Sequence, residues 1–303
     1  MNNVSAIIVV KDNPPHLKET LKSIREFVSE IIIADIGMEP ALIKELKSEL
    51  KVTIHTIEKA IPYVELIRED LKKKAKGDYI LLLDPDEYVT PQLIDLLTEN
   101  MSSYDYISIP RKNIIFKKWI QYSRWWPDYQ VRFFKKTAVI WPKQIHQQPI
   151  TIGNGLTVRA DEQVAIVHYN YESIDEYMSK AVRYAKAEAT ELAKADRGYN
   201  LSVALGKGLS EFISRYFATQ GYRDGMHGFV LAVLQMFYCM LVYFYYWELK
   251  KYPAGNPAET ALTARNFFRD SLVESNHWMN QQHIHEPSRI KTKLQNFILK
   301  KLK

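Results

Sequence analysis

Two hydrophobic patterns alternate along the first part of the chain. Short segments rich in Ile, Val and Leu are separated by segments in which apolar residues recur every three or four positions. The short segments are typical of strands, and the longer period is typical of amphipathic helices. The predicted strands are Ser5–Val10, Glu30–Ala34, Val52–Ile57 and Tyr79–Leu83, and the predicted helices are Pro14–Phe27, Pro40–Leu50 and Tyr63–Ala75. This alternation predicts βαβ units, and therefore an α/β fold with a mostly parallel sheet.

The pattern changes further along the chain. Two more strands are predicted at Tyr106–Pro110 and Val131–Phe134, and a helix is predicted at Ser173–Ala193. The last third is helical and strongly apolar. We therefore predict an α/β domain over residues 1–195 and a helical region over residues 196–303.

Two segments of the helical region suggest contact with a membrane. Gly228–Trp247 is twenty residues long and carries no charged side chain, which is about enough to cross a bilayer. Three interpretations stay open for it: a spanning helix, a helix lying in the membrane interface, and a helix buried in a core or a dimer. Ile290–Lys303 interleaves apolar residues with lysines, so it predicts a basic amphipathic helix. Such a helix rests on anionic lipid or packs one face on its own domain.

Composition narrows the class of protein. With 47% hydrophobic and 25% charged residues, the 303-residue chain is globular rather than disordered. The single cysteine, Cys239, excludes an internal disulfide and a multi-cysteine zinc site. The first apolar run ends at Lys11 and Asp12 and is too short for a signal peptide, so we expect a cytoplasmic protein. A formal net charge of +6 suits an anionic partner, although an ordinary solvated surface also explains it.

Acidic residues follow three of the first four predicted strands. Asp12, Asp35 and the pair Asp84 and Asp86 stand at these ends, where parallel sheets bind their ligands. Two carboxylates spaced in this way can hold Mg²⁺ or Mn²⁺, which would neutralise the charge on a leaving diphosphate. An acidic turn without a ligand is the alternative. No Gly-x-Gly-x-x-Gly, Walker loop or His-Glu-x-x-His is present, which argues against dinucleotide oxidoreductases and P-loop NTPases.

These segments together resemble family 2 glycosyltransferases of the GT-A fold, in particular the lipopolysaccharide-core glucosyltransferase type. The resemblance covers about residues 4 to 250. The segments that carry it are Ser5–Asp12, Ile31–Asp35, Arg68, Gly77–Tyr79, Asp84–Glu87, Ile109–Asn113, Pro127–Phe134, Ile145–His146, Gly221–Gly225 and Trp247–Leu249.

The resemblance implies a GT-A catalytic domain and a metal-dependent inverting glycosyltransferase. The donor would be a nucleotide-sugar, most simply a UDP-sugar, and the acceptor a lipid-linked or cell-envelope glycan. The cofactor would be Mn²⁺ or Mg²⁺. We expect a peripheral protein on the inner face of the cell membrane and no nucleic-acid partner, and a homo-oligomer stays open.

The resemblance also implies a role for individual residues. Asp128 would be the general base that deprotonates the acceptor hydroxyl, as such catalysis requires a carboxylate within hydrogen-bond reach. Arg132 would pair with the diphosphate through its forked guanidinium. The residues that would bind the donor are Lys11, Asp12, Asp35, Arg68, Asp84 and Arg132, and those that would bind the metal are Asp84, Asp86 and His146.

Two other classes of protein stay open. A sugar nucleotidyltransferase would use a similar sheet and metal, but it normally has a glycine-rich basic loop, which Lys11–Pro15 does not supply. A degenerate glycosyltransferase could serve as a scaffold through residues 200–303. Gln147 gives this alternative faint support, and the presence of Asp84, Asp86 and Asp128 argues against it. We interpret His168 as a core residue of its strand.

Overall fold

The chain folds into two units, and the sequence passes between them more than once. The computed structural model describes residues 3–49, 51–58, 64–141, 149–195 and 198–284. The first unit comprises Met1–Ile114 and Trp126–Asn170, and the second comprises Ile115–Trp125 and Tyr171–Lys303. This division differs from the one expected at residue 195, because the segment 115–125 and the long helix after Ser173 both belong to the second unit.

The first unit is built on a seven-stranded sheet. The strands of the described residues are β1 (Val4–Asp12), β2 (Glu30–Met38), β3 (Val52–Thr56), β4 (Tyr79–Leu83), β5 (Glu87–Val89), β6 (Tyr106–Ile109), β7 (Arg111–Ile115), β8 (Lys118–Trp119), β9 (Gln130–Lys135), β10 (Val139–Ile140), β11 (Ile150–Thr151), β12 (Gly155–Thr157) and β13 (Ile166–Tyr171). The sheet order is β12-β6-β9-β4-β1-β2-β3. β1 is parallel to β2 and β4, β2 is parallel to β3, and β9 is antiparallel to β4 and β6. The expected mostly parallel α/β sheet is confirmed.

Neighbouring residues of the sheet face two separate cores. Ile8 of β1 packs in one core with Leu17 and Ile24, whereas Ile7 packs in the other with Leu71. Because successive side chains of a strand point to opposite faces, a sheet covered on both sides needs apolar residues at every position. The covering helices are α1 (Leu17–Ile24), α2 (Pro40–Leu46), α3 (Glu65–Lys74) and α4 (Pro91–Asn100).

A second, smaller sheet begins at the carboxyl edge of the first. Only Asp84, Pro85 and Asp86 separate the end of β4 from the start of β5. β5 pairs with β13 in antiparallel fashion, and β7 lies on the other side of β13. The strand-end acids of β4 are therefore close to side chains from β7 and β13.

The second unit is helical. Its helices within the described residues are α5 (Ile174–Ala195), α6 (Leu201–Phe212), α7 (Met226–Leu249) and α8 (Pro257–Gln281); a π-helix, Ile213–Ala218, continues α6, and a 3-10 helix, Gly221–Asp224, precedes α7. The side chains of Asn200 and Asn256 accept backbone N–H groups at the starts of α6 and α8, as helix-capping residues do. Gly228 of α7 packs so closely that a Cβ atom there would lie 1.8 Å from the carbonyl oxygen of Gly221.

The segment 115–125 belongs to this helical unit. Ile115 and Ile120 are fully buried and pack with Leu231 of α7. The carboxylate of Asp224, which is 3% exposed, accepts the backbone N–H of Tyr122 at 2.9 Å. The segment is thus held by apolar packing and by a hydrogen bond to a buried carboxylate.

The apolar stretch Gly228–Trp247 lies within α7. Among the described residues, α7 is the one helix that is long and apolar enough to cross a membrane by length and composition. Large apolar side chains stay exposed along it, at Phe229, Phe237, Phe244 and Trp247. The C-terminal segment Ile290–Lys303 lies outside the described residues.

Candidate active site

The turn between β4 and β5 carries the acids at the centre of the candidate site. Glu87 donates its backbone N–H to the carbonyl oxygen of Asp84 at 3.1 Å. In the other direction, the backbone N–H of Asp84 donates to Oε2 of Glu87 at 2.8 Å. The turn is therefore closed by two hydrogen bonds, which fix where the side chains of Asp84 and Asp86 begin.

Two arginines, one from each of the two sheets, neutralise part of this acidic turn. Arg132 of β9 donates to the carboxylates of Asp84 and Glu87, and Arg111 of β7 donates to Oε1 of Glu87 at 3.2 Å. Glu87 is completely buried, so its charge depends on these partners. Burial opposes ionisation of Asp84, but the charge of Arg132 and other nearby guanidinium groups holds the pKa of this carboxyl well below its usual range. Burial likewise opposes the charge of Arg132, and Asp84 and Glu87 outweigh it and raise its pKa.

Asp128 lies on the other side of Arg111. Its Oδ2 accepts hydrogen bonds from Nε and Nη2 of Arg111, at 2.8 and 2.5 Å, and from the amide nitrogen of Asn113 at 3.2 Å. Its Oδ1 accepts a hydrogen bond from the amide nitrogen of Gln130 at 2.9 Å. The side chain is 23% exposed. Asp128 is thus held rigidly, and Oδ1 is the less crowded of its two oxygens.

His168 of β13 completes the group. Its Nδ1 lies 2.6 Å from Oδ1 of Asn113, and its Nε2 lies 3.7 Å from Oδ1 of Asp86. The interpretation of His168 as a core residue is therefore incomplete: the ring is buried, but it contacts the site. A signal was present in the sequence, because His168 and Asn170 are polar residues at the inward positions of an alternating strand.

The remaining sequence-predicted residues lie outside this hydrogen-bonded group. Asp35 closes its own turn by accepting the backbone N–H groups of Gly37 and Met38, at 2.9 and 2.7 Å. Burial works against its charge, and these hydrogen bonds outweigh burial, so the pKa of Asp35 is lowered. Lys11 and Asp12 are exposed at the end of β1.

Arg68 and His146 are the two remaining residues to which the resemblance assigns a role. The guanidinium of Arg68 lies 5.8 Å from the ring centre of Trp141, and its charge contributes to the lowered pKa of Asp84. It is therefore near the acidic turn. His146 lies outside the described residues.

The described residues fit a divalent metal that is shared with a ligand and do not fit a closed metal cage. They contain no cluster of three or more His, Cys, Asp and Glu side chains that could hold a metal. Asp86 and His168 nevertheless present a carboxylate oxygen and a ring nitrogen to each other across 3.7 Å. Mg²⁺ is commonly bound through one or two carboxylates together with phosphate oxygens and water, so Asp86 can supply a protein ligand of such a shared site.

Comparisons with known proteins address the same part of the chain. Residues 5–152 match Glycosyl transferase family 2. The uncharacterized glycosyltransferase YwdF of Bacillus subtilis (strain 168) is 25% identical over 230 residues, covering 72% of this chain and 84% of the relative.

Solved structures show weaker likenesses. S. aureus TarS 1–349 in complex with UDP-GlcNAc has a TM-score of 0.43 at 15% identity, covering 79% of this chain and 81% of that one. GalNAc-T7 with UDP, GalNAc and Mn²⁺ has a TM-score of 0.32 at 19% identity, covering 37% of this chain and 23% of that one. The family match spans β1 to β11 and includes the acidic turn, both arginines and Asp128. The chain therefore carries a glycosyltransferase family 2 domain, and the protein is a glycosyltransferase.

Proposed function

We propose that the protein transfers a sugar from a nucleotide-sugar, most simply a UDP-sugar, to a hydroxyl of a lipid-linked or cell-envelope glycan, with inversion at the anomeric carbon. The observation that carries this proposal is the acidic turn at the carboxyl end of β4, beside Arg111 and Arg132 and close to His168. This edge is where open α/β sheets bind nucleotides.

The charge balance of the site favours a metal-dependent donor. Among the described residues around the turn, the four carboxylates of Asp84, Asp86, Glu87 and Asp128 outnumber the three guanidinium groups of Arg68, Arg111 and Arg132. A diphosphate without a metal ion would therefore face an excess of negative charge. A divalent cation held by Asp86 and His168 would reverse that sign and stabilise the charge of the leaving diphosphate.

Arg132 and Asp84 have complementary tasks in this proposal. Because Arg132 already neutralises Asp84, the Asp84 carboxylate can accept a hydrogen bond from a sugar hydroxyl without a large repulsion towards the diphosphate. Arg132 is 4% exposed and keeps its position through Glu87. We therefore assign Asp84 to the donor's hydroxyl groups and Asp86 to the metal.

Asp128 is the proposed base. A general base needs an oxygen within hydrogen-bond reach of the acceptor hydroxyl. Oδ1 of Asp128, which accepts a hydrogen bond from Gln130, retains a lone pair for this purpose, since a carboxylate oxygen accepts more than one hydrogen bond. Deprotonation there would let the acceptor oxygen attack the anomeric carbon as the diphosphate leaves.

We also propose that the enzyme works at the inner face of the cell membrane. The support comes from the exposed apolar side chains of α7 and from the lysines of Ile290–Lys303. Exposed apolar side chains and a basic segment in the same chain suit an anionic lipid surface, where a lipid-linked acceptor would be found.

Calorimetric titration of UDP in Mn²⁺ and then in EDTA tests the donor site. We expect binding that depends on Mn²⁺ and weakens at least about tenfold, or about 1.4 kcal/mol, in Asp86→Asn. Asp78→Asn is the matched control, because Asp78 precedes the opposite end of β4 and pairs with Asn3. Equal binding of UDP in Mn²⁺ and in EDTA would contradict the proposal that donor binding depends on a metal. No binding of UDP, GDP, CMP or dTDP would favour the scaffold, and pyrophosphate release from a sugar phosphate and a nucleotide would favour the nucleotidyltransferase.

A further inference from the structure

Asn113 of β7 joins the base side of the site to the metal side. Its side chain is completely buried, and its two polar ends contact different groups. The amide nitrogen donates to Oδ2 of Asp128 at 3.2 Å, and the amide oxygen lies 2.6 Å from Nδ1 of His168. His168 in turn faces Asp86.

The orientation of the Asn113 amide follows from the contacts of its neighbour. The oxygen of Asp128 that faces Asn113, Oδ2, already accepts two N–H groups of Arg111, so it acts as a hydrogen-bond acceptor. The end of Asn113 that faces Asp128 must donate, so it is the NH₂ group. The oxygen end then faces His168, and an amide oxygen only accepts.

This order fixes which nitrogen of His168 carries the proton. Nδ1 must donate to the oxygen of Asn113, so in the neutral ring the hydrogen is on Nδ1 and the lone pair is on Nε2. The lone pair of Nε2 points towards the side on which Oδ1 of Asp86 lies, 3.7 Å away. Two atoms that can each donate an electron pair to a metal ion, Nε2 of His168 and Oδ1 of Asp86, thus face each other.

We propose that Asn113 is a positioning residue that sets the tautomer of His168, so that Nε2 is presented as a metal-binding nitrogen. His168 donates to Asn113, and both Asn113 and Arg111 donate to Asp128, so the contacts of the proposed base determine the proton position on the metal side. A partner on the second ring nitrogen is what holds a metal-binding histidine in a single tautomer. The proposal rests on the proposed metal role of His168.

The tautomer is tested first in the metal-free wild-type protein. A long-range ¹H–¹⁵N spectrum at about pH 8.5, well above the ordinary pKa range of histidine, distinguishes protonated from bare ring nitrogens. His168→Gln identifies the signal. We expect a protonated Nδ1 and a bare Nε2 for His168, and a protonated Nε2 in the wild-type protein would overturn the proposal without any further variant.

Two variants then separate the contacts of Asp128 from those of His168. Asn113→Leu removes both hydrogen bonds of the amide, whereas Gln130→Leu removes a donor to Asp128 and leaves His168 untouched. We expect Asn113→Leu to lose the fixed tautomer and to weaken Mn²⁺ binding, measured by the EPR signal of free Mn²⁺ in the presence of UDP, by about 10–100-fold. Gln130→Leu should keep the wild-type tautomer and Mn²⁺ affinity.

The outcomes distinguish this inference from the proposed function. If His168→Gln binds Mn²⁺ like the wild type, the metal role of His168 is wrong, whatever the tautomer. If His168→Gln loses Mn²⁺ but Asn113→Leu keeps both the tautomer and the affinity, the metal role holds and the role of Asn113 is wrong. Circular dichroism of each variant shows whether the fold is retained, and the wild-type spectrum decides the tautomer if Asn113→Leu does not fold.

Discussion

At the scale of single residues, Asp128 is the side chain whose contacts most restrict the role that we propose for it. The same carboxylate holds Arg111 and is the proposed base, so a substitution affects either donor binding or the chemical step. Asp128→Asn keeps the shape of the side chain and removes its basicity. We expect kcat to fall by about 10²–10⁴, the usual contribution of a general base, while UDP affinity stays unchanged.

The measurement is UDP release from a UDP-sugar in the presence of Mn²⁺. Asp95→Asn is the control, since Asp95 is an exposed acid of α4. A loss of UDP affinity in Asp128→Asn at unchanged kcat would show that Asp128 serves to orient Arg111 and that another group is the base.

The sequence predicted some members of this site and missed others for a physical reason. Asp84 and Asp86 were recognised because they follow an apolar strand directly. Glu87, Arg111 and Asn113 had no predicted role in the chemistry, since their partners come from strands distant in sequence, such as Asp128 at a separation of 15 from Asn113 and His168 at 55. Asp35 was recognised at a strand end, but local hydrogen bonds use its carboxylate.

At the scale of elements, two helical glycines of the second unit should respond oppositely to alanine. A Cβ at Gly228 would lie 1.8 Å from the carbonyl oxygen of Gly221, and a backbone atom cannot give way cheaply. A Cβ at Gly206 of α6 would have no atom within 4 Å. Gly228→Ala should therefore lower the free energy of unfolding by about 1–3 kcal/mol, and Gly206→Ala should raise it by about 1 kcal/mol.

Urea unfolding followed by circular dichroism measures both changes. The paired design controls for the helix propensity that both substitutions share. Changes of the same sign in the two variants would contradict the close contact between α7 and the 3-10 helix before it.

The sequence pattern alone locates some elements of the fold and does not locate others. The apolar runs of β1, β2 and β4 located these strands, because a strand covered on both faces has few polar positions to interrupt the pattern. The segment 115–125 was not assigned to the helical region. Its packing with Leu231 depends on a contact across more than a hundred residues, which no local pattern encodes.

At the scale of the whole molecule, the exposed apolar side chains of α7 should govern membrane binding. Phe237 and Phe244 are 37% and 46% exposed and lie seven residues apart on one face of the helix. Burying a phenylalanine contributes about 1.5–3 kcal/mol, so Phe237→Asp combined with Phe244→Asp should weaken binding to vesicles with anionic lipid at least tenfold.

Sedimentation with vesicles of phosphatidylglycerol and phosphatidylcholine measures this binding. Phe268→Asp is the control, since Phe268 is 71% exposed but belongs to α8. A shortened chain that ends before Ile290 should also bind less. Unchanged vesicle binding together with loss of a dimer in the α7 variant would instead identify this face as a contact between two copies.

The interrupted course of the chain has a consequence for biosynthesis. Tyr122 leaves the ribosome 102 residues before Asp224, its buried hydrogen-bond partner. At about 5–20 residues per second, this separation corresponds to a delay of about 5–20 s. During that time Ile115 and Ile120 lack Leu231, their partner in the finished protein. The nascent chain thus exposes a short apolar segment in the middle of a domain that is otherwise ready to fold, and a ribosome-associated chaperone would find its target there.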